Sequence, residues 1–320
     1  PAVFGAGSNQ PKWLPWDGTP LVYLPGATGN YVSCPDAAPL DITGDIEIVA
    51  RVTVTAWGTG AYQGLVAKFD GPSGSGRSYV LRAHPARRLE FSWYDSATLA
   101  VRSVTTDVLA ALVDGVTHWV KVEFDADNGA GGCVTRFFLA ADQPAEPSSW
   151  TLIGDVTTAG VASIGVGSFP LVLGTDSVAS RALNGAIYRA IVRNGIGGTT
   201  VADFDASLCG QSGYTDAQGN VWTVNRSTTG RKTVVQSPVA GSARSVILLG
   251  TDDWIDVPAA AVPTFGIADA GSVLIAERQH STQVNYRRIF STEAANNQGL
   301  QIAARDGGSV SIGGYLGDSV

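Results

Sequence analysis

The chain has 320 residues, of which 44% are hydrophobic and only 15% charged, with 39 glycines and a net charge of −7. That apolar content supports a buried core and excludes a disordered chain, while the scarcity of charge excludes long exposed helices laced with i,i+4 ion pairs. The acidic balance excludes nucleic acid as a main partner, which would require a basic stripe, and no apolar run approaches the roughly 18 residues of a membrane span.

Residues 1–20 are rich in proline, with Pro11, Pro15 and Pro20 around Trp13 and Trp16. Proline at this density forbids a helix or a central strand. The segment therefore reads as an extended arm, lacking the basic start and apolar core of a signal peptide. Its two tryptophans need burial, either against the following domain or on a neighbouring protein.

From Leu21 the pattern becomes β. Short strands are predicted over 21–24 and 31–34, and the clearest alternation runs over 45–55. There Ile46, Ile48, Ala50, Val52 and Val54 point one way, and Glu47, Arg51 and Thr53 the other, as in a half-buried strand. Further strands are predicted over 64–69, 78–83, 88–94, 97–104, 117–124, 133–139, 150–156, 162–167 and 171–174, with one short helical turn over 107–113. The stretch 183–205 holds two more strands, 186–192 and 199–204, around a glycine turn, and these are expected to close the domain. Strand and turn signals at roughly 8–12-residue spacing point to an all-β, two-sheet antiparallel sandwich over residues 21–209.

Residues 210–241 read as a linker hairpin. After it, residues 242–320 repeat the first domain: Gly299-Leu-Gln-Ile-Ala-Ala-Arg305 parallels Ser78-Tyr-Val-Leu-Arg-Ala83, and Ser309-Val-Ser-Ile-Gly-Gly-Tyr315 parallels Arg88-Leu-Glu-Phe-Ser-Trp-Tyr94. An offset of roughly 220 residues throughout marks a duplication. The second copy reaches only the first half of a sandwich, so the natural chain is expected to continue past Val320; the alternative is that a partner supplies the missing strands.

Catalytic patterns are scarce. Glu90, Glu123 and Glu146 stand singly, without the paired carboxylates of glycoside hydrolysis. No nucleophile elbow or phosphate-binding loop occurs. His84, His118 and His280 lack metal-ligand spacing. Asp125, Asp127 and Asn128 alternate as calcium ligands do, with Asp70 or Asp176 as possible helpers, but they also suit a hairpin turn. No cofactor is expected, and calcium is the one ion this turn could hold. Cys34, Cys133 and Cys209 lack CxxC spacing and read as buried free thiols, a single disulfide being the alternative. Arg87-Arg88 and Arg287-Arg288 read as solvated strand ends. Trp57, Tyr62, Trp93 and Tyr94 could form a sugar-stacking platform or belong to the core. Trp13, Trp16, Trp57 and Trp93 are thus the candidate glycan or partner contacts.

The runs Tyr31-Val-Ser-Cys-Pro-Asp-Ala-Ala-Pro-Leu-Asp-Ile-Thr-Gly-Asp-Ile-Glu-Ile48, Leu65-Val-Ala-Lys-Phe-Asp70 and Arg77-Ser-Tyr-Val-Leu81 resemble laminin-G-like, concanavalin A-like jelly rolls. Gly185-Ala-Ile-Tyr188, Val201-Ala-Asp-Phe-Asp205, Trp222-Thr-Val-Asn-Arg-Ser227 and Leu248-Leu-Gly-Thr-Asp-Asp-Trp254 resemble the versions in minor tail proteins of phages infecting actinobacteria. The resemblance covers about residues 21–320. It implies a jelly roll in a structural virion protein, made in the host cytoplasm and placed in the tail. The arm would attach it to other tail proteins, and the sandwiches would serve adhesion or assembly, as a homo-oligomer within the particle. A carbohydrate-binding module for host cell-wall glycan is the alternative, ahead of a glycan-degrading enzyme.

Overall fold

The computed structural model describes residues 19–69, 76–176, 181–228 and 232–237 in full, and the backbone of five further strands. In chain order the strands are β1 (Val3–Phe4), β2 (Leu21–Pro25), β3 (Tyr31–Cys34), β4 (Ile46–Val54), β5 (Gln63–Phe69), β6 (Arg77–His84) and β7 (Arg88–Asp95). They continue with β8 (Ala100–Thr105), β9 (Thr117–Asp125), β10 (Gly132–Ala141), β11 (Thr151–Ala159), β12 (Leu171–Leu173), β13 (Asn184–Asn194) and β14 (Thr199–Asp205). The last are β15 (Gly213–Thr215), β16 (Val221–Asn225), β17 (Val234–Gln236), β18 (Ile255–Asp256), β19 (Arg287–Ser291), β20 (Gly299–Arg305) and β21 (Ser309–Tyr315). Two 3-10 turns, Ala38–Leu40 and Ala206–Leu208, occur, and no α-helix is found among the described residues. The helical turn expected over 107–113 is an irregular loop closed by Leu112 N–H donating to Leu109 O.

The chain divides into two compact units, residues 4–256 and residues 1–3 with 257–320. The larger unit is a two-sheet antiparallel sandwich. Its first sheet runs β11-β10-β9-β4-β13-β2-β17, with β14 also on β13; its second runs β15-β16-β3-β12-β5-β6-β7-β8. In the smaller unit β19, β20 and β21 form an antiparallel sheet. The rest of the expected second copy lies outside the described residues.

The period-two pattern explains the core. Ile46, Ile48, Ala50, Val52 and Val54 of β4 all enter one hydrophobic cluster, meeting Leu81, Phe91 and Trp93 from the second sheet. Trp93 packs its ring 4.6 Å from that of Phe124. The stretch expected to close the domain, β13 and β14, is followed by β15, β16 and β17 in the same two sheets. β13 lies inside the first sheet, against β4 on one side, with its first four residues on β2 and its last six on β14 on the other.

Over its described part, the segment expected as a linker belongs to the sandwich. β16 pairs with β3, β17 pairs with β2, and Trp222 and Val224 enter the main core. A buried carboxylate clasps this hairpin. Asp216 accepts from the backbone N–H of Gln218, Asn220 and Asp203, from Asn220 Nδ2 and from Trp222 Nε1. Gly213 is required there, since a Cβ would stand 1.8 Å from Trp222 O. The segment looked like a connector because its strands are only three to five residues long and one turn signal dominates it.

Candidate functional site

The two sheets treat their outer faces differently. On the first, the loop 142–150 lies across β4, β9 and β13. Arg51 Nε pairs with Asp142 at 2.6 Å, Trp119 Nε1 donates to Gln143 O at 2.9 Å, and Arg193 binds both Glu146 and Glu47. Trp119, Val49 and Ile191 pack beneath, with Trp150 against them. Lys121 pairs with Glu123 at 2.6 Å and lies 5.0 Å from the Trp150 ring centre. This face is sealed and its charges are matched.

The outer face of the second sheet carries a polar cluster around Tyr62. Alternation in β6 puts Ser78, Arg82 and His84 outward, and alternation in β7 puts Arg88, Glu90 and Ser92 beside them. Arg82 pairs with Glu90 in the register and His84 with Arg88. Arg82 donates Nε and Nη2 to Glu90 Oε1 at 3.0 and 2.5 Å, and Nη1 to Asp176 Oδ2 at 3.0 Å. Ser92 also donates to Glu90 Oε1, so the 2.8 Å contact between the Ser92 and Ser103 hydroxyls is a donation from Ser103. Arg181, with a side chain 42% exposed, gives one Nη1 bond to Asp176 Oδ2.

Tyr62 is the hub. The Arg82 and Arg181 guanidinium carbons lie 4.3 and 5.1 Å from its ring centre, and the His84 ring meets it edge-on at 5.2 Å. The loop bearing Tyr62 is fixed at its base by Gln63, whose Nε2 donates to Ala56 O and whose Oε1 accepts from Asn184 N–H. Gly64 lets the Thr175–Asp176 backbone lie directly on β5; a Cβ there would stand 2.1 Å from Thr175 C. Arg181 is held at φ +57°, a left-handed conformation costly for a side-chain-bearing residue. Its carbonyl accepts from Gly64 N–H at 2.9 Å. Backbone strain and close packing therefore both serve to deliver Asp176 and Arg181 to Tyr62.

Several polar atoms of this face lack partners. Among the described residues, five buried side-chain polar atoms have none: Trp57 Nε1, Trp93 Nε1, Ser78 Oγ, Arg88 Nε and Asp176 Oδ1. The last three belong to this one face. Leaving a buried polar group unpaired costs about 1–3 kcal/mol; Arg88 Nε and Asp176 Oδ1 belong to the end of the face near Tyr62, whereas Ser78 lies at the other end of β6.

The tryptophan platform is corrected by the structure. Trp57 and Trp93 are both 0% exposed and lie in the core, so neither shows a face to a sugar. Trp93 has inward parity on β7, and Trp57 lies in the bend after β4, where its backbone N–H donates to Asp114 Oδ1; a large ring so placed buries about 200 Å² and goes inside. Of the four aromatics, Tyr62 alone joins the cluster, while Tyr94 packs beside Gly165. Trp13 and Trp16 lie outside the described residues. Asp127 Oδ1 accepts from Gly129 N–H, and Asn128 Oδ1 from Ala130 and Gly132 N–H, so these oxygens serve their own turn. Asp176, considered as a helper for a cation, is bound by two arginines; Asp70 is outside the described residues. No group of three or more His, Cys, Asp or Glu placed to hold a metal ion occurs among the described residues.

Cys34, Cys133 and Cys209 are free and buried. Burial, with Asp216 and Asp36 adding to it, pushes the Cys34 thiol up to about 12. Burial does the same to Cys209, also to about 12. The sequence reading missed Arg82, Arg181 and the partnership of Glu90 with them. The available signal was the run of charged residues at alternate positions, Arg82 and His84 on one strand, Arg88 and Glu90 on the next.

No protein-family model matches the chain, and no curated protein does. Solved structures do resemble it. The CBM40 domain of a Ruminococcus gnavus IT-sialidase, bound to α2,3-sialyllactose, is 17% identical with a TM-score of 0.39, over 54% of this chain and 91% of its own. A heptameric SAP-like pentraxin from Limulus polyphemus is 10% identical, with a TM-score of 0.35, over 55% of this chain and 76% of its own. A leech intramolecular trans-sialidase is 12% identical, with a TM-score of 0.35, over 53% of this chain and 25% of its own. At such identities the likeness is one of β-sandwich architecture alone.

Proposed function

We propose that the chain is a non-catalytic carbohydrate-binding β-sandwich that grips a glycan at the Tyr62 cluster. The observation that carries this reading is the unmatched outer face of the second sheet. There an aromatic ring, two guanidinium groups and partnerless buried polar atoms stand together on strained, well-anchored backbone. Hydroxyl-rich ligands suit such a surface, because each hydroxyl both donates and accepts and so satisfies Asp176 Oδ1 and the free arginine N–H groups together. Glu90 Oε1 and Asp176 Oδ2 are spent on arginine and serine donors, which favours binding over acid–base chemistry.

The test is calorimetric titration of the full chain with purified cell-wall polysaccharides, repeated with Tyr62→Ala and Arg181→Ala. Saturable binding to at least one polysaccharide, weakened more than tenfold in both variants with unchanged circular dichroism, is expected. Failure to bind any polysaccharide overturns the reading.

The resemblance to phage minor tail proteins supplies the setting we propose for this module: adhesion on a virion tail, in several copies, with the arm bearing Trp13 and Trp16 docked on another tail protein. Antibodies raised against the sandwich should label tails of intact particles in electron micrographs. Particles that stay unlabelled while the free protein is recognised would sink that setting and leave the glycan reading standing.

A further inference from the structure

The cluster contains one more cation than its ion pairs need. Arg82 is consumed by Glu90 and Asp176, and Arg181 gives a single N–H to Asp176. Arg88 has no ion-pair or hydrogen-bond partner among the described residues, and its Nε is buried and unpartnered. It stands directly opposite His84 in the β6–β7 register, on the same face, two residues before Glu90. His84 accepts from Ala86 N–H through Nδ1, so its neutral form carries the proton on Nε2. Nε2 stops 3.9 Å short of Glu90 Oε2, beyond hydrogen-bond range.

The face therefore sets three guanidinium groups against two carboxylates, in a protein whose net charge is −7. An unpaired, partly desolvated arginine is costly to maintain. An arginine fork matches the geometry of carboxylate and phosphate groups, and Arg181 keeps most of its N–H donors for the same purpose.

Resting on the glycan reading above, we infer that this site selects an anionic glycan, its acidic group received by Arg88 and Arg181 beside Tyr62. The acidic group is either the carboxylate of a uronic-acid residue or the phosphodiester of a wall polymer, since both fit the same fork.

The experiment titrates the full chain with three probes: a uronic-acid oligosaccharide, the same oligosaccharide after reduction of its carboxyl groups, and a polyol-phosphate oligomer. Wild type is compared with Arg88→Gln and with Lys121→Gln, the latter a cation on the opposite sheet. An acidic probe should bind at least tenfold more tightly than the carboxyl-reduced one. Arg88→Gln should abolish that preference, Lys121→Gln should preserve it, and raised salt should narrow it. Which acidic probe wins identifies the group. Equal binding of acidic and reduced probes, or a preference that survives Arg88→Gln, overturns the inference while leaving the glycan reading intact. No binding to any of the three, nor to any wall polysaccharide, overturns both.

Discussion

The two outer faces of the sandwich are built from the same kind of strand and end differently. On the first sheet, Arg51, Lys121 and Arg193 each meet a carboxylate, and the loop 142–150 covers Trp119. On the second, Ser78, Arg88 and Asp176 keep buried polar atoms without partners. One face is finished by the chain itself, and the other keeps buried polar atoms without partners among the described residues. Parity in a β-strand does not separate charge that holds a cover in place from charge left unmatched.

Substitutions sharpen this contrast. The largest effect is expected for Trp119→Ala, which empties the space under the cover and should cost about 3–5 kcal/mol in denaturant melts. Glycan affinity of the refolded variant should stay unchanged, and a parallel loss of affinity would mean that the faces are coupled. Next comes Arg193→Ala, which leaves buried Glu47 without its guanidinium. About 2–4 kcal/mol should be lost, the partly exposed Glu146 contributing least.

Asp95, at the β7–β8 turn, gives a smaller and pH-dependent effect. Burial acts to raise its pKa, but bonds from Thr98 Oγ1 and from the N–H of Ala97 and Ser163, together with Arg102, outweigh it and hold the carboxyl below its ordinary value. A lowered native pKa stabilises the fold above the unfolded value of about 3.9 and loses that contribution as pH falls through the native one. Asp95→Asn should therefore melt earlier at pH 7, and the gap should close on acidification; a gap that widens instead would contradict the assignment. The smallest loss belongs to Arg88→Gln, which should be neutral or stabilising, because no native bond is lost and an unpaired, partly desolvated charge is removed. A loss above 2 kcal/mol there would show that Arg88 belongs with the structural charges.

The inward half of this contrast was legible in the sequence. The alternation of β4 assigns Ile46 to Val54 to the core residue by residue. The outward half was not. Glu47, Arg51 and Thr53 look solvated by their parity but are buried: Arg51 by Asp142 of a loop about 90 residues later, Glu47 by Arg193, which also holds that loop through Glu146, and Thr53 by Thr117 and Tyr188. Period-two reasoning reports which side a residue takes, and says nothing of what covers that side. The same gap hid the site. Arg82, Glu90 and Asp176 lie on β6, on β7 and beyond β12, and only sheet order and the close approach at Gly64 bring them together. Trp57 and Trp93 drew attention as exposed aromatics, whereas the smaller Tyr62 in a loop holds the surface position.

The pairing of β17 with β2 places Leu21 opposite Gln236. The first and last described strands of the sandwich thus run side by side in opposite directions, and its two ends leave at one point. A pull applied through the flanking chain would peel these two strands apart one hydrogen bond at a time instead of loading all of them together. Of the strands in the two sheets of the sandwich, β17 would yield first, while the Tyr62 cluster belongs to the other sheet.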